Sequence, residues 1–203
     1  MKHNVLIVDD EQSVRESLSS VLATYGFRTA SCGHACEAVE RIQKSAPDCV
    51  VLDVRMPDMD GLSLQRMLAQ TAAGLPVIMI TGHADISMAV QAMRNGAFDF
   101  IEKPVDDEQL VASITSAIEQ RRHASSSGPD EKSLKARFGL LTDREKSVAE
   151  MVAEGYSSAA IASAFSISVR TVDHHRASVL AKMQATSLPQ LIRYLLVILP
   201  PKP

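Results

Sequence analysis

Asp9, Asp10 and Glu11 stand together in one run, and Asp53, Thr81 and Lys103 stand alone at wider spacings. Each follows or ends a short apolar segment: VLIV precedes the three acids, CVVLD ends in Asp53, VIMIT ends in Thr81, and Lys103-Pro104 follows FDFIE. Three carboxylates gathered in one crevice repel one another unless a cation lies among them. An all-oxygen donor set suits Mg²⁺, which keeps several waters and pairs a few carboxylates with a phosphate. A carboxylate held there can attack phosphorus, the chemistry of an aspartyl phosphate. The ion and the Lys103 ammonium would neutralise the transferring oxygens, and Thr81 would offer a hydroxyl donor. Singly, each acid is an ordinary helix cap or solvated loop residue, and Thr81 an ordinary strand end. All of them together, at four strand ends, point to phosphoryl transfer.

The elements that must position these residues are legible from hydrophobic periodicity. Asn4–Val8, Phe27–Ser31, Cys49–Asp53, Val77–Thr81 and Phe98–Glu102 read as strands, and three of the runs are continuously apolar, as when both sheet faces are covered. Amphipathic stretches lie between them at Ser13–Tyr25, Ala35–Ser45, Leu62–Thr71, Ile86–Asn95 and Asp107–Arg122, with Gly26 and Gly96 at C-cap positions. Five such units predict an α/β doubly wound five-stranded parallel sheet with right-handed crossovers, its reactive residues at the carboxyl ends of the strands. The small, polar segment HASSSGPD reads as a linker. Beyond it there is no strand pattern. Thr142 and Glu145 form a capping box, Ser157, Ser168 and Ser187 are N-cap residues, Gly155 is a stop signal, and Pro189 is tolerated in a first turn. These signals predict a small all-α four-helix domain whose Ala-rich middle pair forms a helix-turn-helix. The expected boundaries are 1–122 for the first domain, 123–139 for the linker and 140–203 for the second, with a frayed Pro-Pro-Lys-Pro tail.

The motifs VLIVDDE, VVLDVRMPDMDG, MITGHAD and DFIEKP, in this order over about 120 residues, resemble the receiver domain of two-component response regulators. The resemblance implies Asp53 as phosphoacceptor, with Asp9 or Asp10, Asp53 and the backbone carbonyl of Arg55 holding Mg²⁺ or Mn²⁺; Asp10 falls where the more direct metal acid of the family stands. It also implies Thr81 and Lys103 as phosphate-sensing residues, Phe100 as the switch aromatic that moves with Thr81, and a cis Lys103-Pro104 bond. MITGHAD resembles the FixJ/NarL-like subgroup; its His83 is not assigned catalysis.

The stretch LTDREKSVAEMVAEGYSSAAIASAFSISVRTVDHHRASVLAKM resembles the LuxR-type helix-turn-helix of the same regulators. On the helix Val169–Met183, Val172, Val179, Leu180 and Met183 form the apolar stripe. Asp173, His174 and Ala177 are expected to face base edges, and Arg170, Thr171, Arg176 and Lys182 to hold phosphates. Asp173 either accepts from a cytosine amine or orients Arg176, and His175 packs or contacts. The resemblance implies a sensor histidine kinase and promoter DNA as partners, RNA polymerase as a further one, and a homodimer when phosphorylated. Phosphorylation would draw Thr81 inward, Phe100 would follow, and the reshaped face around Ile86–Arg94 and the fifth strand would dimerise or release the output domain.

Composition agrees with this division. Residues 1–124 carry 11 Lys and Arg against 17 Asp and Glu, and residues 125–203 carry 10 against 7, so the acidic net charge of −3 conceals a mildly basic second half. The odd cysteine count and the absence of zinc-ligand spacing favour buried free thiols in a reducing compartment. With no signal peptide and no run of roughly 20 apolar residues, the expected location is the cytoplasm, with no membrane partner. Two other classes can be told apart from this reading. A Mg²⁺-dependent aspartyl-phosphate phosphatase, a true enzyme rather than a self-phosphorylating regulator, needs a second acid two residues after its nucleophile, where Arg55 stands. An adaptor whose helices bind protein or RNA would not shift duplex DNA.

Overall fold

The computed structural model describes residues 3–82, 85–122 and 130–199. His83, residues 123–129 of the expected linker and the 200–203 tail lie outside them. The chain divides into two compact units, Met1–Ala84 with Asn95–Ser127, and Asp85–Arg94 with Gly128–Pro203.

In chain order the first unit holds β1 (Asn4–Val8), α1 (Gln12–Thr24), β2 (Arg28–Cys32), α2 (Ala35–Ser45), β3 (Cys49–Asp53), α3 (Gly61–Thr71) and β4 (Val77–Thr81); α4 (Ile86–Arg94) groups with the second unit, and β5 (Asp99–Glu102) and α5 (Asp107–Arg122) complete the first. All strand pairs are parallel, in the order β2-β1-β3-β4-β5. The continuous apolar runs take the interior: every residue of β3 and β4 is buried. β2, with the sequence RTASC and an alternating exposure pattern, takes an edge. Strands alternate their side chains between two faces. Val5, Ile7, Cys49, Val51, Ile78, Ile80 and Ile101 point to the face packed by Leu18 and Leu22 of α1 and Leu110, Ile114 and Ile118 of α5. Phe27 and Phe98, expected as the first residues of their strands, lie one residue before β2 and β5 and pack against this core. Gly26 and Gly96 adopt the left-handed conformation, at φ +87° and +89°, that a side chain would strain.

The second unit contains α6 (Glu131–Gly139), α7 (Asp143–Glu154), α8 (Ser158–Phe165), α9 (Val169–Met183) and α10 (Leu188–Ile198). Residues 131–139 were expected to continue the linker but form α6: the Asp130 carboxylate caps the Ser133 amide, and Leu134 is buried with Leu141, Val179, Met183, Leu191 and Leu195. Leu134 and, four residues on, the partly buried Phe138 anchor this helix, an apolar pair among mostly charged and polar residues that is too short a pattern to mark a helix by periodicity. The other cap signals form as expected. Thr142 and Glu145 make the reciprocal capping box, Ser157, Ser168 and Ser187 each accept from an amide three residues on, and Gly155 ends α7 at φ +95°.

Candidate phosphoryl-transfer site and nucleic-acid interface

β1 and β3 are neighbours in register, with Val8 opposite Leu52. One further residue on each strand therefore sets Asp9 beside Asp53 at the carboxyl end of the sheet, where the strand order reverses and ligands bind. β4 brings Thr81 to the same edge, and β5 brings Lys103, whose amide donates to the Thr81 carbonyl at 2.7 Å. Asp9 and Thr81 are fully buried and Asp53 is 3% exposed. The Lys103 Nζ lies 2.8 Å from Asp9 Oδ2, 2.7 Å from Asp53 Oδ1 and 3.8 Å from Glu11 Oε1. The second oxygens are also held: Asp53 Oδ2 accepts from the Arg55 amide at 2.6 Å, and Asp9 Oδ1 from the Glu11 amide at 2.9 Å.

Burial pushes the Asp53 carboxyl above the ordinary aspartate range. The Lys103 ammonium pulls it back, and the neighbouring Asp9 charge adds to the rise. Burial also works against the charge on Lys103, but its bonds to Asp53 and Asp9 outweigh that and hold its pKa above the ordinary lysine value. Asp53 is thus a desolvated carboxylate kept usable by one ammonium.

Asp10 is exposed beside this cluster, Arg55 is exposed, and Phe100 is buried on β5 opposite Met79. The expected cis peptide at Lys103-Pro104 is present. Among the described residues no three His, Cys, Asp or Glu side chains are arranged to hold a metal ion. Two buried carboxylates with a third acid at the rim nevertheless fit a hard cation that retains most of its waters and needs few protein oxygens.

Gly61 closes the motif VVLDVRMPDMDG. A Cβ at this position would lie 2.0 Å from the Asp53 carbonyl oxygen, and the Gly61 amide donates to Val54 at 2.8 Å. The start of α3 is therefore seated directly on the segment that carries Asp53. The only sequence trace is a glycine following an aspartate N-cap.

On α9, Val172, Val179 and Met183 are buried and Leu180 partly so, as the apolar stripe required. Arg170, Thr171, Asp173, His174 and Ala177 are exposed; His175 is half-buried. Arg176 and Lys182 differ from the rest. The Arg176 Nη1 donates to Ser158 Oγ at 2.6 Å and lies 3.6 Å from Asp173 Oδ1, while Ser158 Oγ is 3.0 Å from that same oxygen. The Lys182 ammonium reaches both oxygens of Glu145, at 2.6 and 2.9 Å, and Ser178 donates to the same carboxylate. These contacts hold the Glu145 carboxyl down to about 2, the Lys182 bond contributing most. Sequence reasoning found Glu145 as a capping residue and missed it as an ion-pair partner 37 residues from Lys182.

Residues 5–115 match the response regulator receiver domain family, and residues 139–195 match the bacterial regulatory proteins of the luxR family. The chain belongs to the FixJ/NarL-like response regulators. The transcriptional regulatory protein FixJ of Rhizobium meliloti (strain 1021) is 43% identical over 94% of each chain. The response regulator protein TmoT of Ectopseudomonas mendocina is 37% identical over 93% of this chain and 86% of its own. The crystal structure of full-length FixJ from B. japonicum is similar at a TM-score of 0.58 and 37% identity, covering 98% of both chains. The protein is therefore a response regulator that pairs a receiver domain with a LuxR-type DNA-binding domain, a transcription regulator of a two-component system. No helix of this response regulator, among the described residues, is long and apolar enough to cross a membrane.

Proposed function

We propose that this response regulator accepts a phosphoryl group on Asp53 from a sensor histidine kinase and thereby changes its affinity for promoter DNA. The observation that carries the reading is the Lys103 ammonium, bonded at once to Asp9 and Asp53 in a buried strand-end crevice. An oxygen of Asp53 attacks phosphorus, the bond from phosphorus to the histidine nitrogen breaks, and the imidazole leaves. Mg²⁺, or Mn²⁺, held by Asp9, Asp10, Asp53 and the Arg55 carbonyl would supply positive charge to the transferring oxygens when bound. Lys103 supplies the rest, and must exchange part of its contact with Asp53 for a contact with the phosphoryl group. Thr81, buried at the end of β4, offers its hydroxyl to the same group, and the aromatic ring of Phe100 responds on β5. The protein itself turns over only its own phosphoryl group.

The exposed face of α9 supports the second half of the proposal. Arg170 and Thr171 meet phosphates while Asp173, His174 and Ala177 meet base edges. Arg176 reaches DNA from a position fixed by Ser158 and Asp173, and Lys182 acts through its bond to Glu145. The receiver occupies 1–122 and the output domain 140–203, preceded by α6. The phosphorylated form binds as a homodimer to paired half-sites, and RNA polymerase is recruited at the promoter. Incubation with acetyl phosphate and Mg²⁺ tests the central step: label is expected on the wild type and absent from Asp53→Asn. Label that persists in that variant would sink the assignment.

A further inference from the structure

The guanidinium of Arg15, on the second turn of α1, lies against the loop that carries the acids. Its Nη1 donates to the carbonyl oxygens of Asp9 at 2.6 Å and of Asp10 at 2.9 Å. The slot it occupies is kept open by Gly33, just after β2, where a Cβ would stand 3.2 Å from that same nitrogen. The loop is tied to β2 independently, since the Asp9 amide donates to Cys32 at 3.2 Å. A side chain from α1 and the end of β2 thus fix the peptide units from which the Asp9 and Asp10 carboxylates project.

We infer that Arg15 is a positioning residue for the divalent cation: it bridges the carbonyls of Asp9 and Asp10, sets the direction of both carboxylates, and offsets their repulsion without competing for their oxygens. This rests on the reading of the acid cluster as a phosphorylation site. Lys103 bonds the carboxylates themselves, so its charge competes with an incoming cation for the same oxygens. Arg15 bonds only main-chain oxygens, so its charge and the ion's are additive in holding the acids together. Both bonds leave the one nitrogen Nη1, and the planar guanidinium fixes the directions of its two N–H bonds where an ammonium on a flexible stem rotates as a point charge. Groups that orient metal ligands change metal affinity by about 10- to 100-fold when removed.

The test is a calorimetric titration of the full-length protein with MgCl₂ alone, beside acetyl phosphate labelling across a Mg²⁺ series. Arg15→Met is expected to raise the Mg²⁺ dissociation constant about 10-fold. Its labelling rate at saturating Mg²⁺ should remain that of the wild type, so that only the half-saturating Mg²⁺ concentration moves. Arg15→Lys should fall between the two, and it decides the matter if Arg15→Met does not fold. Unchanged Mg²⁺ affinity in a folded Arg15 variant, or a lower maximal rate with unchanged affinity, would overturn the inference. Asp53→Asn keeps the two questions apart. Acetyl phosphate label that is equal in the wild type and in Asp53→Asn refutes the phosphorylation-site reading itself, whereas Arg15 variants that match a Mg²⁺-binding wild type refute only the bridge.

Discussion

At the scale of single residues, the crevice is governed by how closely a few groups can approach. Asp9 and Asp53 are buried side by side and share the Lys103 ammonium, which under the proposed function is also the group that would meet a phosphoryl oxygen. Gly61 controls the same place from below. In Gly61→Ala the new methyl would meet the Asp53 carbonyl oxygen at 2.0 Å, and neither group is a flexible side-chain end that can swing aside. Overpacking of this kind costs about 1–3 kcal/mol or more. Urea unfolding should show that loss in Gly61→Ala, and acetyl phosphate labelling should slow because Asp53 moves with its backbone. A variant of unchanged stability and labelling would show that α3 is not seated on the strand that carries Asp53.

At the scale of elements, the helix-turn-helix unit is held by caps and by the partly buried ion pair of Glu145 with Lys182. Ser166, between α8 and α9, adopts φ +53° and ψ +44°, a left-handed conformation that costs a residue with a Cβ about 1–2 kcal/mol. Ser166→Gly should therefore stabilise the unit by roughly 0.5–1 kcal/mol, once the larger backbone entropy of an unfolded glycine is deducted; a lower melting temperature would contradict the geometry. Glu145 makes a pH-dependent contribution. Its carboxyl is held down to about 2 in the folded chain, against about 4.5 for an ordinary glutamate. A depressed carboxylate stabilises fully above the unfolded value, and its contribution is lost as pH falls toward the folded one. Thermal melts followed by circular dichroism should show the wild type losing stability between about pH 4.5 and pH 2 more steeply than Glu145→Gln. The variant should already be weaker at pH 7. Parallel curves would mean that the Lys182 contact is not formed in solution. The anchoring of α6 is checked by Leu134→Ala, expected to cost about 2–5 kcal/mol as a buried leucine does. A linker residue would cost almost nothing.

At the scale of the whole molecule, an acidic receiver is joined to a mildly basic output domain, and DNA binding through that charge is expected to weaken with salt. Arg170→Ala should weaken binding by a similar factor on every sequence and lower the slope of log K against log salt by about 1, whereas His174→Ala should alter sequence preference. Gel shifts on a randomised duplex library at several salt concentrations separate the two outcomes, and a changed preference in Arg170→Ala would make it a base reader. The order of elements, α6 excepted, was settled by the chain alone. Short continuous apolar runs bounded by turn signals read as interior parallel strands, serine and threonine caps mark helix starts by local hydrogen bonding, and acids at strand ends follow from the alternation of strand and helix. These are local effects, complete within a few residues. What needed tertiary structure was everything whose partners are distant in sequence. Only the neighbouring of β1 and β3 could choose Asp9 over Asp10 for the ammonium of Lys103, 94 residues away. Only the packing of α7 against α9 could turn Lys182 from an exposed cation into the counter-ion of Glu145, and only a core closed by α6 could show that Leu134 belongs to a domain rather than a tether. Long-range pairings of this kind follow from excluded volume and charge in three dimensions, and no periodicity along the chain encodes them.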